Sequence, residues 1–486
     1  MFAPISGVGA EFPGDLAGAR VLVTGARVTG VSVARFLACL GAEVTLTDSS
    51  PAPLRALAGT PLESAARLVA GLTVPPPGTD LVVTSPGLRP DTPVLLAAQR
   101  AGLPVIGDVA LARWVDCARP GARTGATRSG LGQDASEWLV VTGTNGKTTT
   151  VGMLESILRA AGVDAVACGN IGLPVLDAVR AGYRVLVVEL SSFQLHWSPQ
   201  LGSRAAVVLN VSADHLDWHG SLAEYAAAKG TVYAAGTTVV ANADDEWSTR
   251  LAAGRAGVAF TTSAPADGQL GVIGEHLVDR AFGADATRSG GTALARVTEV
   301  RPRGRHNLAN ALAAAALARC IGVEAPAVSQ GLRAFTPGEH RGVPVGEHGG
   351  VCYVDDSKAT NPHAARAALL ARRRVVWVAG GLLKGVDVDE LVIGTRDRLV
   401  GAVLLGTDRG VIATALARHA PSLPVRVVDS GDDSAMTEVV SAAAELASPG
   451  DVVLLAPAAA SMDMFRDYAH RGQAFAAAVA ALGDLR

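Results

Sequence analysis

The sequence predicts an α/β protein of three domains: a Rossmann-like N-terminal domain, a central parallel sheet of P-loop ATPase type and a C-terminal Rossmann-like α/β domain. Three observations carry this. Short apolar runs alternate with Ala- and Leu-rich helical patterns almost from end to end, the mark of βα units and mainly parallel sheets. A glycine-rich turn, "VVTGTNGKTTT" from Val140 to Thr150, lies between one such run and a helical segment. The 486 residues are 49% hydrophobic but only 4% aromatic, so the cores are to be built from Ala, Val and Leu. A chain of this length calls for roughly two to four domains.

The first domain, residues 1–117, opens with the strand "RVLVTG", a helix from Thr29, the strand "EVTLTD" and then "DLVVTSPG". "GARVTG", Gly25 to Gly30, with Asp48 closing the next strand, follows the dinucleotide fingerprint except at its middle glycine, where Arg27 stands. That glycine lets a pyrophosphate lie against the backbone, so Arg27 argues against NAD. The strand-end acid can still receive a ribose or uracil edge, and the helix N-terminus at Val28-Thr29 can still face a diphosphate. A plain βαβ unit without a ligand accounts for the same residues equally well. Residues 118–136, "ARPGARTGATRSGLGQDAS", lack periodicity and are expected to form a flexible linker or insertion.

The second domain, residues 137–337, starts at "EWLVVTG" and continues through "RVLVVEL" and "AAVVLNV". A Gly-rich strand-and-turn stretch around Ala264 to Val300 precedes an alanine-rich helix from Asn307. The third, residues 338–486, repeats the βα scheme with "VCYVDDSKATN", "RVVWVAGG", "GAVLLG", "PVRVVD" and "DVVLLAP".

In the turn Gly143-Thr144-Asn145-Gly146-Lys147-Thr148, backbone N–H groups and a lysine face a polyphosphate, and the Thr148 hydroxyl is placed to reach Mg²⁺. Thr149 extends the same turn. The full pattern carries a glycine where this chain has Val141, so the loop is a shortened form. ATP or GTP binding follows, against the alternative of a chance glycine turn before a helix.

Forty-two Lys+Arg against 45 Asp+Glu leave a net charge of -3 with no long basic run, which excludes a nucleic-acid partner and an anionic bilayer as the expected ligands. The five cysteines are scattered, which argues against a disulfide framework and a zinc site. No apolar stretch reaches membrane-spanning length, so no membrane insertion and a cytoplasmic location are expected.

Further stretches resemble a known family. "GNIG" (Gly169 to Gly172), "VELSSFQL" (Val188 to Leu195), "NVSADHLDWHGSLAEYAAAK" (Asn210 to Lys229), "GRHNLANA" (Gly304 to Ala311) and "DDSKATNP" (Asp355 to Pro362) are similar to motifs of the Mur ligases, ATP-dependent amide ligases of peptidoglycan precursor synthesis. The ELSSFQL and DSKATN forms resemble the branch that adds D-glutamate. The resemblance spans all three domains in order and omits chiefly residues 118–136. It implies that the terminal alanine carboxylate of UDP-N-acetylmuramoyl-L-alanine takes the γ-phosphate of ATP, and that the amine of D-glutamate then displaces phosphate from the acyl phosphate. A monomer is expected.

The resemblance assigns roles residue by residue. Lys147, Glu189, His215 and Lys229 are implied in catalysis, with Thr148, Glu189, His215 and Lys229 at two Mg²⁺ ions. Lys229 is implied to act as a CO₂-derived carbamate, which turns a cation into a metal-binding anion. On sequence alone a solvated helix lysine is the leading reading of Lys229 and a surface-loop histidine that of His215, whereas Glu189, a strand-end acid that would more often be solvated, is favoured for metal by the phosphate loop beside it. Asn307 and Asn310, three apart on one helix face, are implied at adenine, with N-capping as the competing role for Asn307. Arg341 and Asp356 complete the ATP side. Val28, Thr29, Asp48, Ser49, Ser85, Gly87, Asn170, Ser191 and His215 are implied on the UDP-sugar side, with turn-forming roles as the alternative for Asn170 and Ser191. Lys358, Thr360, Lys384, Ser461, Met462 and Tyr468 are implied at D-glutamate, whose two carboxylates need cations and hydroxyl donors. Tyr468 stands where phenylalanine is expected.

Sibling ligases for a diamino acid carry an Asp-Asn-Pro-rich loop that is not found here, and folate ligases lack a domain like residues 1–117. A non-catalytic nucleotide sensor would have lost Lys147, Glu189, His215 or Lys229, and all four are present.

Overall fold

A computed structural model describes residues 16–118, 135–283, 290–429, 431 and 434–482. Most of the expected linker, residues 119–134, lies outside the described residues. The chain divides into two compact units. One comprises residues 1–211, 215–295 and 310–332, the other 212–214, 296–309 and 333–486.

The first unit holds two sheets. Strands β1 (Arg20–Thr24), β2 (Glu43–Asp48), β3 (Ala66–Ala70), β4 (Leu81–Thr84) and β5 (Val105–Gly107) run parallel in the order β3-β2-β1-β4-β5. The second sheet takes β6 (Glu137–Thr142), β7 (Ala165–Gly169), β8 (Val185–Glu189), β9 (Ala205–Val208), β10 (Thr238–Asn242), β11 (Gly257–Phe260), β12 (Gln269–Ile273), β13 (His276–Asp279) and β14 (Thr292–Arg296) in the order β14-β13-β12-β11-β10-β9-β6-β8-β7. Its phosphate-loop half is parallel, and β12 meets β13 antiparallel. The expected strand-and-turn stretch after Ala264 thus supplies an edge.

The central strands of both sheets are buried on both faces, as their unbroken Val/Leu/Ala runs require. Asp116, near the end of the helix Asp108–Cys117 that follows β5, ties that helix to the start of the second sheet. Its fully buried carboxylate accepts from Trp138 Nε1 (2.9 Å), the Ser136 amide (3.2 Å) and Arg113 Nη1 (3.3 Å), while Arg113 also donates to the carbonyls of Leu201 and Gly202.

The second unit holds β15 (Val343–His348), β16 (Val351–Asp355), β17 (Val375–Gly380), β18 (Leu399–Leu405), β19 (Val425–Val427) and β20 (Val452–Leu455), ordered β15-β16-β20-β17-β18-β19. Only the β15–β16 pair in it is antiparallel. In all three sheets expected site residues are found at or just past the C-terminal ends of parallel strands, where open α/β sheets bind ligands: Asp48 on β2, Ser85 after β4, Glu189 on β8 and Asp356 after β16, while Lys229, Asn307 and Asn310 lie on helices.

Candidate active site

The phosphate loop begins where β6 ends and the helix Lys147–Ala160 starts. Gly143 (φ 152) and Gly146 (φ 86) adopt backbone angles that a side chain would strain. A Cβ on Gly146 would lie 2.3 Å from Asn310 Oδ1, so this glycine lets the loop pack on Asn310, one of the two asparagines expected at adenine. Asn310 and Asn307 share the helix Arg305–Arg319. Asn307 sits inside its first turn rather than at its cap, and its Nδ2 meets His306 Nε2 at 2.8 Å.

Asn210, two residues past β9, carries no expected role. Its carbonyl accepts from Thr144 N (2.9 Å), its Oδ1 accepts from Asn145 N (2.9 Å), and its Nδ2 donates to Asn145 O (3.1 Å). Three bonds from one residue brace the loop. Its position is the signal in the sequence, since Asn210 follows β9 at the head of the stretch that runs to Lys229.

Lys147 Nζ donates to the carbonyls of Gly143 and Thr144, each at 2.9 Å. Lys229 Nζ also donates to Gly143 O, at 2.9 Å, and lies 4.4 Å from the centre of the Tyr225 ring. Two ammonium groups therefore converge on one carbonyl. Lys229 is 1% exposed, which rules out the solvated-lysine alternative for it. Glu189, also buried, accepts from Thr148 Oγ1 (2.8 Å) and from Asn170 Nδ2 (2.9 Å). The solvated-acid alternative fails in the same way.

His215 has φ 53 and stacks edge-on to Phe193 at 4.8 Å between ring centres. His219, which carried no expected role, meets Ser192 Oγ through Nε2 at 2.9 Å. Burial, then the nearby charge of Lys229, pushes its pKa down to about 4. Its place four residues after His215, beside the same ring, was the legible hint. Ser191 caps the helix Ser192–Trp197 in a capping box with Gln194, the turn-forming role held open for it.

In the first sheet, both oxygens of Asp48 accept backbone amides, from Ser50 and Ala26, and Ser85 Oγ donates to Gly25 O at 3.4 Å. A Cβ on Gly30 would lie 1.7 Å from Gly25 O, so the outer glycines of the fingerprint keep the close strand-to-helix turn. Arg27 is the uncapped N-cap of the helix Val28–Cys39 and is exposed, as are Val28, Ser49 and Gly87, while Thr29 is half-buried.

In the second unit, Leu382 and Ala460 exchange backbone hydrogen bonds (2.8 and 3.0 Å), which ties the loop bearing Lys384 to the loop bearing Ser461. Lys384 is exposed at φ 55, Ser461 is buried, Thr360 is half-buried and Met462 is 75% exposed. Lys358 Nζ lies 3.6 Å from the centre of the Tyr468 ring. The lysine uses the ring face, which phenylalanine would also offer, so the tyrosine preserves this contact. Asp356 is pushed up to about 7 by desolvation, an effect opposed by the nearby Arg341.

A phosphate loop beside a buried strand-end carboxylate and a second buried lysine defines a nucleotide-using enzyme of the P-loop kind. The chain belongs to the Mur ligase family: residues 19–107 match the MurD-like N-terminal domain, 141–318 the Mur ligase middle domain, and 340–459 the glutamate ligase domain. It is 50% identical over 483 residues to the UDP-N-acetylmuramoylalanine–D-glutamate ligase of Streptomyces coelicolor, covering 97% of this chain and 100% of that one. With the ligase of the same name from Thermobifida fusca it shares 52% over 479 residues, covering 96% and 99%. Among solved structures it resembles the UDP-N-acetylmuramate–alanine ligase of Thermotoga maritima (TM-score 0.57, 18% identity, covering 96% of this chain and 100% of that one). It also resembles MurF from Acinetobacter baumannii (TM-score 0.58, 16% identity, covering 95% and 93%). These two likenesses speak for the fold.

Proposed function

We propose that the chain joins D-glutamate to UDP-N-acetylmuramoyl-L-alanine at the expense of ATP, in the synthesis of peptidoglycan precursors. The observation that carries the reaction is the convergence of Lys147 and Lys229 on the Gly143 carbonyl, with Glu189 at the end of β8 accepting from Thr148 on the helix that follows the loop. The choice of amino acid is supported by the names of the full-length relatives.

In this reading residues 1–117 take the UDP-sugar, 137–337 take ATP, 338–486 take D-glutamate and part of the nucleotide, and 118–136 link the first two. Lys147 leaves its loop carbonyls for the transferring phosphate, and the loop amides steadied by Asn210 hold the polyphosphate. The alanine carboxylate receives the γ-phosphoryl group, and the amine of D-glutamate expels phosphate to form the amide. Lys358, Lys384, Thr360 and Ser461 hold the two carboxylates of D-glutamate, beside Met462 and Tyr468. Asn307, Asn310, Arg341 and Asp356 serve the rest of ATP.

The residues fit Mg²⁺. Glu189 offers carboxylate oxygens beside the Thr148 hydroxyl, and His215 lies 6.4 Å, centre to centre, from the Tyr225 ring on which Lys229 packs. Among the described residues no group of three or more His, Cys, Asp or Glu is preassembled for a metal. Magnesium commonly takes one or two protein groups together with substrate phosphates, so two such ions suit this donor set. Bound there, they would neutralise charge on the transferring phosphoryl group.

A carbamate on Lys229 would relieve the convergence of two cations: the neutral amine adds to CO₂, loses a proton and becomes an anion. A cytoplasmic monomer completes this reading, and among the described residues no helix is long and apolar enough to cross a membrane.

The test is phosphate release from ATP, Mg²⁺ and UDP-N-acetylmuramoyl-L-alanine with a panel of amino acids. D-Glutamate should give the fastest turnover; faster release with L-alanine or meso-diaminopimelate would reject the assignment.

A further inference from the structure

His340 is a buried residue in a conformation that side chains seldom adopt, with φ 61 and 8% exposure. Its Nδ1 meets Asp355 Oδ2 at 2.6 Å. Nε2 has no hydrogen-bond partner among the described residues, the Glu339 carboxylate being 3.8 Å away. The other oxygen of Asp355 accepts from Ser357 N at 2.9 Å, and the His340 carbonyl accepts from Lys358 N at 3.2 Å. The surroundings leave no slack: a Cβ on Gly472 would lie 2.1 Å from His340 Nδ1 and 2.6 Å from Asp355 Oδ2. Arg471, 1% exposed, donates to Ser357 Oγ (3.0 Å) and Ser357 O (2.9 Å) from below the same turn.

Strain of this kind persists only where its surroundings over-determine it. Here the strained residue immediately precedes Arg341, and its partner immediately precedes Asp356. The His340 side chain meets Asp355 and its carbonyl takes the Lys358 amide, so this residue is tied to the chain on both sides of Asp356. We infer that the His340–Asp355 pair is a positioning element for nucleotide use, holding Arg341 against the turn that carries Asp356 and Lys358. It acts through its neighbours and does not itself touch the reacting atoms. The inference rests on the nucleotide roles proposed above for Arg341 and Asp356.

The substitutions that test it separate the two ring nitrogens. His340→Asn places an amide N–H near the position of Nδ1 and keeps a donor for Asp355. His340→Gln places its amide near Nε2 and loses that donor. Gly472→Ala keeps both side chains of the pair but forces them to shift.

Loss of one buried charge-assisted hydrogen bond corresponds to about ten- to a hundredfold in affinity. His340→Gln and Gly472→Ala should therefore raise the KM for ATP by about that factor, with the KM for the UDP-sugar within about twofold of wild type. His340→Asn should recover most of the loss. Amide hydrogen exchange over 340–342 and 356–358 should quicken in the first two variants and not in the third.

Equal rises in both KM values, or exchange that does not change, would overturn the inference. So would His340→Asn failing where His340→Gln succeeds, since Nε2 would then be the working atom. Arg341→Ala is the control for the underlying reading. If exchange quickens in His340→Gln while the ATP KM is unmoved there and in Arg341→Ala, the nucleotide role given to Arg341 is the part that falls.

Discussion

Lys229 shows how one residue's setting inverts its expected behaviour. Its place near the end of the helix Leu222–Gly230 is ordinary for a lysine, yet it is 1% exposed and shares the Gly143 carbonyl with Lys147. A buried cation beside another cation is costly unless an anion arrives or the group changes charge. If a carbamate forms, Lys229→Ala removes a metal-binding anion and should lower the rate by on the order of 10²–10³. Acetate should restore part of that loss by filling the vacated position. It should not rescue Lys147→Ala, where the missing group is a cation. Turnover near wild type in Lys229→Ala without acetate would reject the carbamate.

At the scale of elements, the helix Asp108–Cys117 opens on a carboxyl that is 5% exposed, with Oδ1 lacking a hydrogen-bond partner among the described residues. Desolvation pushes its pKa up from 3.8 to about 7, against the lowering pull of the Asp108 and Val109 amides. Between those values the folded chain holds a proton that the unfolded chain has released. This group's contribution to stability is therefore complete in acid and is lost as pH rises through about 7. Asp108→Asn, neutral at every pH, should gain on wild type between acid and alkaline pH, by roughly 2–4 kcal/mol. Urea unfolding at the two extremes measures the difference. A gain that does not vary with pH would mean that Asp108 is not the titrating group.

At the scale of the whole molecule, two of the three sheets fall within one compact unit, and Asp116, on the helix that follows β5, is a buried polar joint to the start of β6. Asp116→Ala would leave the Trp138 indole N–H and the Ser136 amide without their acceptor and Arg113 without its charge partner. Breaking a buried network of this kind costs about 3–5 kcal/mol. Denaturant unfolding followed by tryptophan fluorescence should show that loss, while Asp116→Asn, which keeps one acceptor oxygen, should lose less. A loss below about 1 kcal/mol, the scale of an exposed pair, would show that Asp116 is not what holds this contact together.

The sequence by itself determined the alternation of strands and helices, the phosphate loop and the strand ends that carry Asp48, Glu189 and Asp356. These rest on period and turn chemistry, which are local: an apolar run states that a strand is buried, and Gly-Lys-Thr after it states that a phosphate can sit there. Tertiary structure decided the partners. Asn210 braces a loop 65 residues away in the chain, Asn310 reaches Gly146, and His340 meets Asp355 across the end of β15 and β16. None of these pairings leaves a periodic trace, because a polar side chain chooses its partner through strand order and register. The same holds for burial of Lys229 and Glu189: residue type favours water for both, and only the packing around the loop takes them out of it.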